Sequence, residues 1–133
     1  MAANTNPVFT LVPNVGTATL SAGNTNRDGT TGTYVTLFTA GADGSMLDRV
    51  TVTATGTTTA GLVRLFLNNG TTRRLYEEIA VTAVTPSGTT AAFTGASTKI
   101  TPATPLTLAT GWTLDGNTHN AESFHVLTEG GNF

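Results

Sequence analysis

Alternating hydrophobic and polar residues recur along this chain, separated by short segments rich in glycine and asparagine. Alternation with a period of two is typical of a strand that has one buried face. Residues 47–54 (LDRVTVTA) are the clearest case. Their alternation predicts one face made of Leu47, Arg49, Thr51 and Thr53, and an opposite face made of Asp48, Val50, Val52 and Ala54.

A β-hairpin is predicted at the centre of the chain. Residues 62–67 (LVRLFL) form the most apolar run, which ends at Asn68, Asn69 and Gly70. Asparagine and glycine tolerate the positive φ angles that tight turns require. The following run, residues 74–81, would be the second strand. A helix over residues 75–84 is the competing interpretation, but the flanking threonines and Val81 favour a strand.

Shorter candidate strands complete an all-β pattern. They lie at residues 17–20, 33–40, 91–94, 106–109, 112–114 and 123–128. Together with the three longer runs they make eight or nine strands, with turn residues about every 8 to 15 positions. This spacing predicts an antiparallel β-sandwich that is jelly-roll-like.

The first fifteen residues differ from the rest of the chain. Pro7 and Pro13 flank the apolar residues Val8, Phe9, Leu11 and Val12. Proline disfavours central strands, so these apolar side chains need another surface to pack against. We therefore expect an extended N-terminal arm at residues 1–15 and a single β-sandwich domain at residues 16–133. An edge strand that folds on its own domain is the alternative.

Composition narrows the function classes. The chain has 133 residues, 11% of them charged, with a net charge of −2, no cysteine and 31 threonines. Its few arginines form no basic stripe, so a nucleic-acid partner is not expected. No run of 18 apolar residues and no secretory signal pattern occurs, so we expect no membrane span and synthesis in the cytoplasm. A threonine-rich, weakly charged chain favours strands and is common in assemblies.

The residues that could support catalysis do not form a recognisable set. His119 and His125 are spaced unlike any zinc signature, and no nucleophile-elbow motif occurs. Glu77 and Glu78 are adjacent on a predicted strand, so their carboxylates would point to opposite faces. We therefore predict no catalytic residue, no metal site and no cofactor.

Aromatic residues remain as binding candidates. Trp112, Tyr34 and Tyr76 are the side chains on which a sugar ring could stack, although Trp112 is more often a core residue. Phe133 follows two glycines with one residue between, and we expect it to contact a neighbouring subunit.

Four segments resemble small β-sandwich capsid decoration (cement) proteins of tailed bacteriophages. They are residues 3–9 (ANTNPVF), 40–45 (AGADGS), 63–70 (VRLFLNNG) and 130–131 (GG). The resemblance implies a jelly-roll-like virion protein, assembled in the host cytoplasm, that binds the outer head shell and stabilises it by bridging capsid subunits. It further implies a homotrimer whose N-terminal arm contacts the major capsid protein.

The arm contacts expected on the capsid are Pro7, Phe9, Leu11 and Val12. The alternative function is a phage tail, fibre or host-surface module that binds carbohydrate. Neighbouring genes would distinguish a head location from a tail location.

Overall fold

The structure is a computed structural model and describes residues 9–133. These residues form nine strands in two antiparallel sheets. The strands are β1 (Val12–Leu20), β2 (Val35–Thr39), β3 (Ser45–Ala54), β4 (Gly61–Asn68), β5 (Arg73–Val81), β6 (Thr94–Ala96), β7 (Leu106–Leu108), β8 (Thr113–Thr118) and β9 (Phe124–Asn132). Residues 9–133 include no helix long and apolar enough to cross a membrane.

The strand order is that of a jelly roll. Sheet A has the order β1-β9-β3-β6, with β7 also paired to β3, and sheet B has the order β2-β8-β4-β5. Successive strands β1 to β4 alternate between the sheets, as the two interleaved Greek keys of this architecture require. The predicted all-β, jelly-roll-like sandwich is confirmed.

The predicted hairpin is formed by β4 and β5, which pair along Gly61–Asn68 and Arg73–Val81. The Asn69 carboxamide oxygen accepts hydrogen bonds from the backbone N–H groups of Thr71 and Thr72, at 3.0 and 2.8 Å. Gly70 adopts a φ of 97°, which a residue with a side chain rarely adopts. The side chain of Asn69 and the freedom of Gly70 therefore define the turn, and the helical alternative is wrong.

The predicted faces of β3 need one correction. The register against β9 shifts between Leu47 and Arg49, which places Asp48 in a β-bulge. Leu47 is consequently fully buried with Val50 and Val52, whereas Arg49 is exposed. A bulge inserts one residue and reverses the alternation on one side of it.

β1 begins earlier than the pattern predicted. It starts at Val12 and pairs with β9 through to Leu20, so residues 12–15 of the expected arm lie in an edge strand. Pro13 fits there because an edge strand tolerates a residue without an N–H. The boundary expected at residue 15 therefore falls inside β1, and residues 9–11 precede the strand.

The core lies between the two sheets. Its buried side chains come from every strand except the short β6, and they include Leu20, Phe38, Leu65, Leu114 and Phe124. Phe93 and Phe124 meet edge to face with their ring centroids 6.4 Å apart. The inward positions are apolar because each strand contributes alternate residues to this layer.

Candidate interaction surface

Exposed apolar side chains are concentrated at the beginning of the described chain. Phe9 is 72% exposed, Leu11 80%, Val12 56% and Val15 63%. We call these four residues the apolar row. They are near one another in sequence, but Val12 and Val15 lie on opposite sides of β1, because successive residues of a strand alternate between its two faces. Exposed apolar residues that are grouped together indicate an interaction site, whereas scattered ones are ordinary. Three of the four arm contacts expected from the sequence belong to this row, and the fourth, Pro7, lies outside the described residues.

Strand β1, which includes Val12 and Val15 of the apolar row, is hydrogen-bonded to both sheets near its N-terminal end. The Asn14 Nδ2 donates to the Thr39 carbonyl of β2 at 3.0 Å and to the Asn132 Oδ1 of β9 at 2.9 Å. The same Oδ1 accepts a 2.6 Å hydrogen bond from Ser45 Oγ of β3. Polar groups from β1, β2, β3 and β9 therefore hold the base of the apolar row in place.

A close approach of β1 to β2 completes this anchor. The Thr128 hydroxyl accepts from the Gly16 N–H at 3.1 Å and donates to the Leu37 carbonyl at 3.2 Å. A Cβ at position 16 would collide with both the Leu37 carbonyl oxygen and the Thr128 hydroxyl. Glycine is therefore required at position 16 so that the edge strand can close the sandwich.

The outward side of sheet A, which we call the open face, includes Val15 of the apolar row, which pairs with Glu129 of β9. Its central strand β9 presents His125, Leu127 and Glu129 on alternate positions, all exposed. Leu127 is 42% exposed. Arg49 of β3 lies 3.8 Å from the Glu129 carboxylate. A depression of about 400 Å³ is lined by Thr17, Ala18 and Thr19 of β1 together with His125 and Leu127.

The outward side of sheet B, which we call the covered face, is overlaid by the chain segment between β1 and β2. Asn24 donates its N–H to the Thr118 carbonyl at 2.8 Å. The Arg73 guanidinium donates to the Gly29 carbonyl at 2.9 Å and to the Asp115 carboxylate at 2.7 Å. Residues 21–34 thus occupy the surface of sheet B that would otherwise face solvent.

A three-residue ion cluster joins this segment to sheet B. Arg64, which is fully buried, and Arg27 both donate to the Glu78 Oε2, at 2.9 and 2.7 Å. Burial alone would raise the pKa of Glu78, but the hydrogen bonds and charges of Arg27 and Arg64 lower it below its usual value. Arg64 also donates to the Asn24 carbonyl at 3.3 Å, so the cluster links sheet B to the covering segment.

The carboxylates of Glu77 and Glu78 point to opposite faces, as predicted. Glu77 is buried on the inward side, where it accepts hydrogen bonds from the hydroxyl of Ser97 and from the N–H and hydroxyl of Thr98. Glu78 takes part in the ion cluster on the covered face. The two carboxylates therefore cannot act together on one substrate.

The two histidines lie at different places in the fold. His119 follows β8, and its backbone N–H donates to the Leu62 carbonyl at 2.8 Å. His125 lies on the open face. Within residues 9–133 no group of three or more histidine, aspartate or glutamate side chains could hold a metal ion. The described geometry thus assembles no catalytic or metal-binding set, and the prediction of a non-enzymatic protein stays a prediction.

The aromatic candidates differ in how much ring surface they offer. Tyr34 contacts Phe66 edge to face at 5.0 Å, and the Arg73 guanidinium covers its ring at 4.4 Å. The Lys99 ammonium lies 5.2 Å from the Tyr76 ring. Trp112 is half-buried against the core and lines a depression of about 220 Å³. Trp112 is therefore the one of the three without a cation over its ring.

Phe133, the expected subunit contact, lies against its own domain. It is half-buried, its backbone N–H donates to the Gly44 carbonyl at 3.2 Å, and its ring lies beside Gly44. A contact with a neighbouring subunit would use the exposed part of this ring, and it stays a prediction.

Two features of the surface were not anticipated from the sequence. Val15 belongs to the apolar row, and Leu127 lies on the open face. The alternation of residues 124–129 places Leu127 opposite the buried Phe124 and Val126, so the sequence contained that signal. The ion cluster of Arg27, Arg64 and Glu78 could not be found in this way because its members are far apart in sequence.

Comparison with known proteins yields similarity to solved structures only. No family model matches the chain, and no curated protein matches it. Two crystal structures of a pentameric capsid protein isolated from metagenomic phage sequences are similar to it, each with 18% identity over 94% of this chain and a TM-score of 0.38. The chain spans 63% and 65% of the length of those two solved chains.

Proposed function

We propose that this chain is a virion structural protein of a tailed phage, a decoration (cement) protein that binds the outer head shell and bridges capsid subunits. The apolar row is the observation that carries the proposal, because it joins exposed apolar side chains to a rigid strand. The resemblance of residues 3–9, 40–45, 63–70 and 130–131 to decoration proteins supplies the identity of the partner, the major capsid protein.

The charge distribution favours a protein partner for the apolar row. No charged residue precedes Arg27 in the sequence. Nucleic acids and anionic membranes attract proteins through lysine and arginine, which this part of the chain lacks. Burying a phenylalanine or leucine side chain contributes about 1.5–3 kcal/mol, so a few such contacts suffice for specific binding after the cost of association is met.

The rigid base of the row supports tight binding. Asn14 and Gly16 fasten β1 to β2 and β9, and Pro13 restricts the backbone beside Val12. A preorganised segment loses less conformational entropy when it binds. Because the protein would bind the assembled shell and not free capsid subunits, its binding would stabilise the shell by linkage.

The experiment uses shells assembled from the major capsid protein encoded in the same genome. Wild-type protein, the double variant F9S/L11S and the control L75S are each incubated with shells, and bound copies are counted after sedimentation. Leu75 is also exposed, at 38%, but lies on β5 of sheet B. We expect the double variant to bind at least about tenfold more weakly, since about 1.4 kcal/mol corresponds to a factor of ten, and L75S to bind like wild type.

Binding of F9S/L11S at wild-type occupancy would show that the apolar row is not the shell contact. Shells that bind no wild-type protein would contradict the head location itself. Native mass measurement of the free protein tests the homotrimer that the resemblance implies.

The second candidate function is a tail, fibre or host-surface module that binds carbohydrate. It is favoured by the depression at Trp112, which is also lined by Leu67, Asn69, Thr72 and Arg74. An aromatic ring beside polar side chains can hold a sugar by stacking and hydrogen bonding. A change in Trp112 fluorescence on titration with host-surface glycans would support this function, and protection from solvent quenchers without such a change would count against it.

A further inference from the structure

We infer that the open face packs against the open face of a second copy of this chain across a two-fold axis. The observation that carries this inference is the order of side chains on β9. Its exposed positions are His125, which can carry a positive charge, the apolar Leu127 and the anionic Glu129. We call these three residues the β9 stripe.

The β9 stripe is complementary to itself when two copies meet antiparallel. Side chains on one face of a strand are about 6.6 Å apart, twice the rise per residue. A two-fold axis through Leu127 places Leu127 of one copy against Leu127 of the other. His125 of each copy then faces Glu129 of its partner copy. Identical surfaces related by a two-fold axis form an isologous contact, which requires this kind of self-complementarity.

The strands on either side of β9 fit the same arrangement. Thr17 of β1 and Thr51 of β3 flank Leu127 in the register. Thr53 of β3 flanks His125, and Arg49 flanks Glu129. The axis therefore sets Arg49 of one copy against Thr53 of the other. The same axis sets Val15 of one copy against Thr19 of the other, because these residues flank Glu129 and His125. No like charges lie directly opposite each other, and the residues beside the central leucine pair are threonines.

The covered face offers no comparable surface, because residues 21–34 already lie over it.

The size of the open face indicates the strength of the contact. Three strands about 30 Å long and two about 10 Å long, at about 4.8 Å spacing, give roughly 530 Å² per copy, against about 800 Å² per partner in a standard interface. The contact should therefore be weak and concentration-dependent in solution.

Variants that reverse the charges of His125 and Glu129 test the inference on the purified full chain, without shells. Sedimentation velocity at pH 6 and low salt compares wild type with H125E, E129K and the double variant H125E/E129K. Each single variant sets like charges against each other in the dimer, and the double variant restores opposite charges. We expect each single variant to raise the dimer Kd by about tenfold or more and the double variant to return to within about threefold of wild type. L75D, on β5, should dimerise like wild type.

Wild-type protein that shows no two-fold association up to millimolar concentration, either of monomers or of the homotrimers that the resemblance implies, would overturn the inference. Single and double variants with equal dimer Kd values would overturn it as well, because the pairing of His125 with Glu129 predicts rescue. Thermal unfolding of each variant as a monomer shows whether a loss of dimer arises from misfolding, in which case the rescue by the double variant would be absent.

Cross-linking provides a second measurement, because the chain has no cysteine of its own. L127C places a single thiol on the two-fold axis, and A80C places one on the outward side of β5. A short bismaleimide should join L127C into dimers much faster than A80C. Equal rates would contradict the arrangement. Both experiments are made without shells, and their variants leave Phe9 and Leu11 unchanged, so failure of shell binding and failure of this contact are distinguishable.

Discussion

The two outward sheet faces differ in how they use charge. On the covered face, Arg64, Arg27 and Glu78 form an ion cluster, and Arg73 pairs with Asp115. These charges bind the chain's own segment 21–34. The open face has one exposed ion pair, Arg49 with Glu129. The open face also includes Val15 of the apolar row. One face therefore closes the domain on itself, and the other remains available to partners.

This difference explains how a chain with few charged residues leaves one sheet face, that of sheet A, available for binding while the other is occupied by its own segment. Ion pairs of partly exposed groups add little stability, but here they hold a polar segment in one position. Tyr34, the last residue of the segment, packs edge to face on Phe66 of sheet B, which is fully buried. Without it, sheet B would expose its own apolar surface and compete with sheet A for partners.

The largest expected effect comes from breaking the ion cluster. R64A leaves the Asn24 carbonyl and part of the Glu78 carboxylate without their donor, under the covering segment. Arg64 is fully buried, so losing its packing and leaving the Asn24 carbonyl without its donor costs about 3 kcal/mol in the free energy of unfolding. Urea unfolding measures this loss. The exposed Arg74 supplies the control, because R74A should change stability by less than about 0.5 kcal/mol. Equal losses for the two variants would show that the cluster does not hold the segment.

A smaller loss is expected from G16A. The added methyl group would collide with the Leu37 carbonyl and the Thr128 hydroxyl and push β1 from β2. Overpacking of this kind costs about 1–3 kcal/mol. G56A is the matched control, since a Cβ there meets nothing within 4 Å. Hydrogen exchange of the β1 amides should accelerate in G16A and not in G56A. Unchanged exchange in both variants would show that Gly16 is not needed to hold β1 against β2.

The pH dependence of stability should reveal Glu78 as a modest contributor. Its pKa is lower in the folded protein than in the unfolded chain, so its stabilising effect is complete above the unfolded pKa of about 4.3. The effect is lost as pH falls through the folded pKa. E78Q should therefore be less stable than wild type at pH 7, and the gap should narrow below about pH 4. A constant gap across this range would contradict the ionic role of Glu78.

The smallest effect on stability is expected for the apolar row. F9S/L11S removes side chains that are more than two-thirds exposed, so the free energy of unfolding should change by less than about 0.5 kcal/mol. Thermal unfolding of the free protein measures this change. A loss as large as that of G16A would mean that the row supports the fold and is not reserved for a partner.

Much of the fold could be predicted from local patterns. The β4–β5 hairpin follows from a buried run, an Asn-Asn-Gly turn and a second run, because these signals act over neighbouring residues. The face of Leu47 was predicted wrongly, since the bulge at Asp48 arises from pairing with β9 about 80 residues away. The start of β1 was also missed, because Val12 pairs with Asn132 at the far end of the chain.

The candidate surface was predictable only in part. Phe9, Leu11 and Val12 were expected as contacts because they lie between prolines, and the structure leaves all three exposed. Their partner stays a prediction, as do the homotrimer and the role of Phe133. The covered face could not be foreseen, since its cluster joins Arg27, Arg64 and Glu78 across three segments of the chain.

The most direct test of the account is hydrogen–deuterium exchange of the protein free and bound to shells. Binding should protect the amides of residues 9–19 and leave those of residues 21–34 unchanged. Protection confined to residues 21–34 and β5, with residues 9–19 exchanging as in the free protein, would contradict the claim that the apolar row and the side of the domain that carries it bind partners.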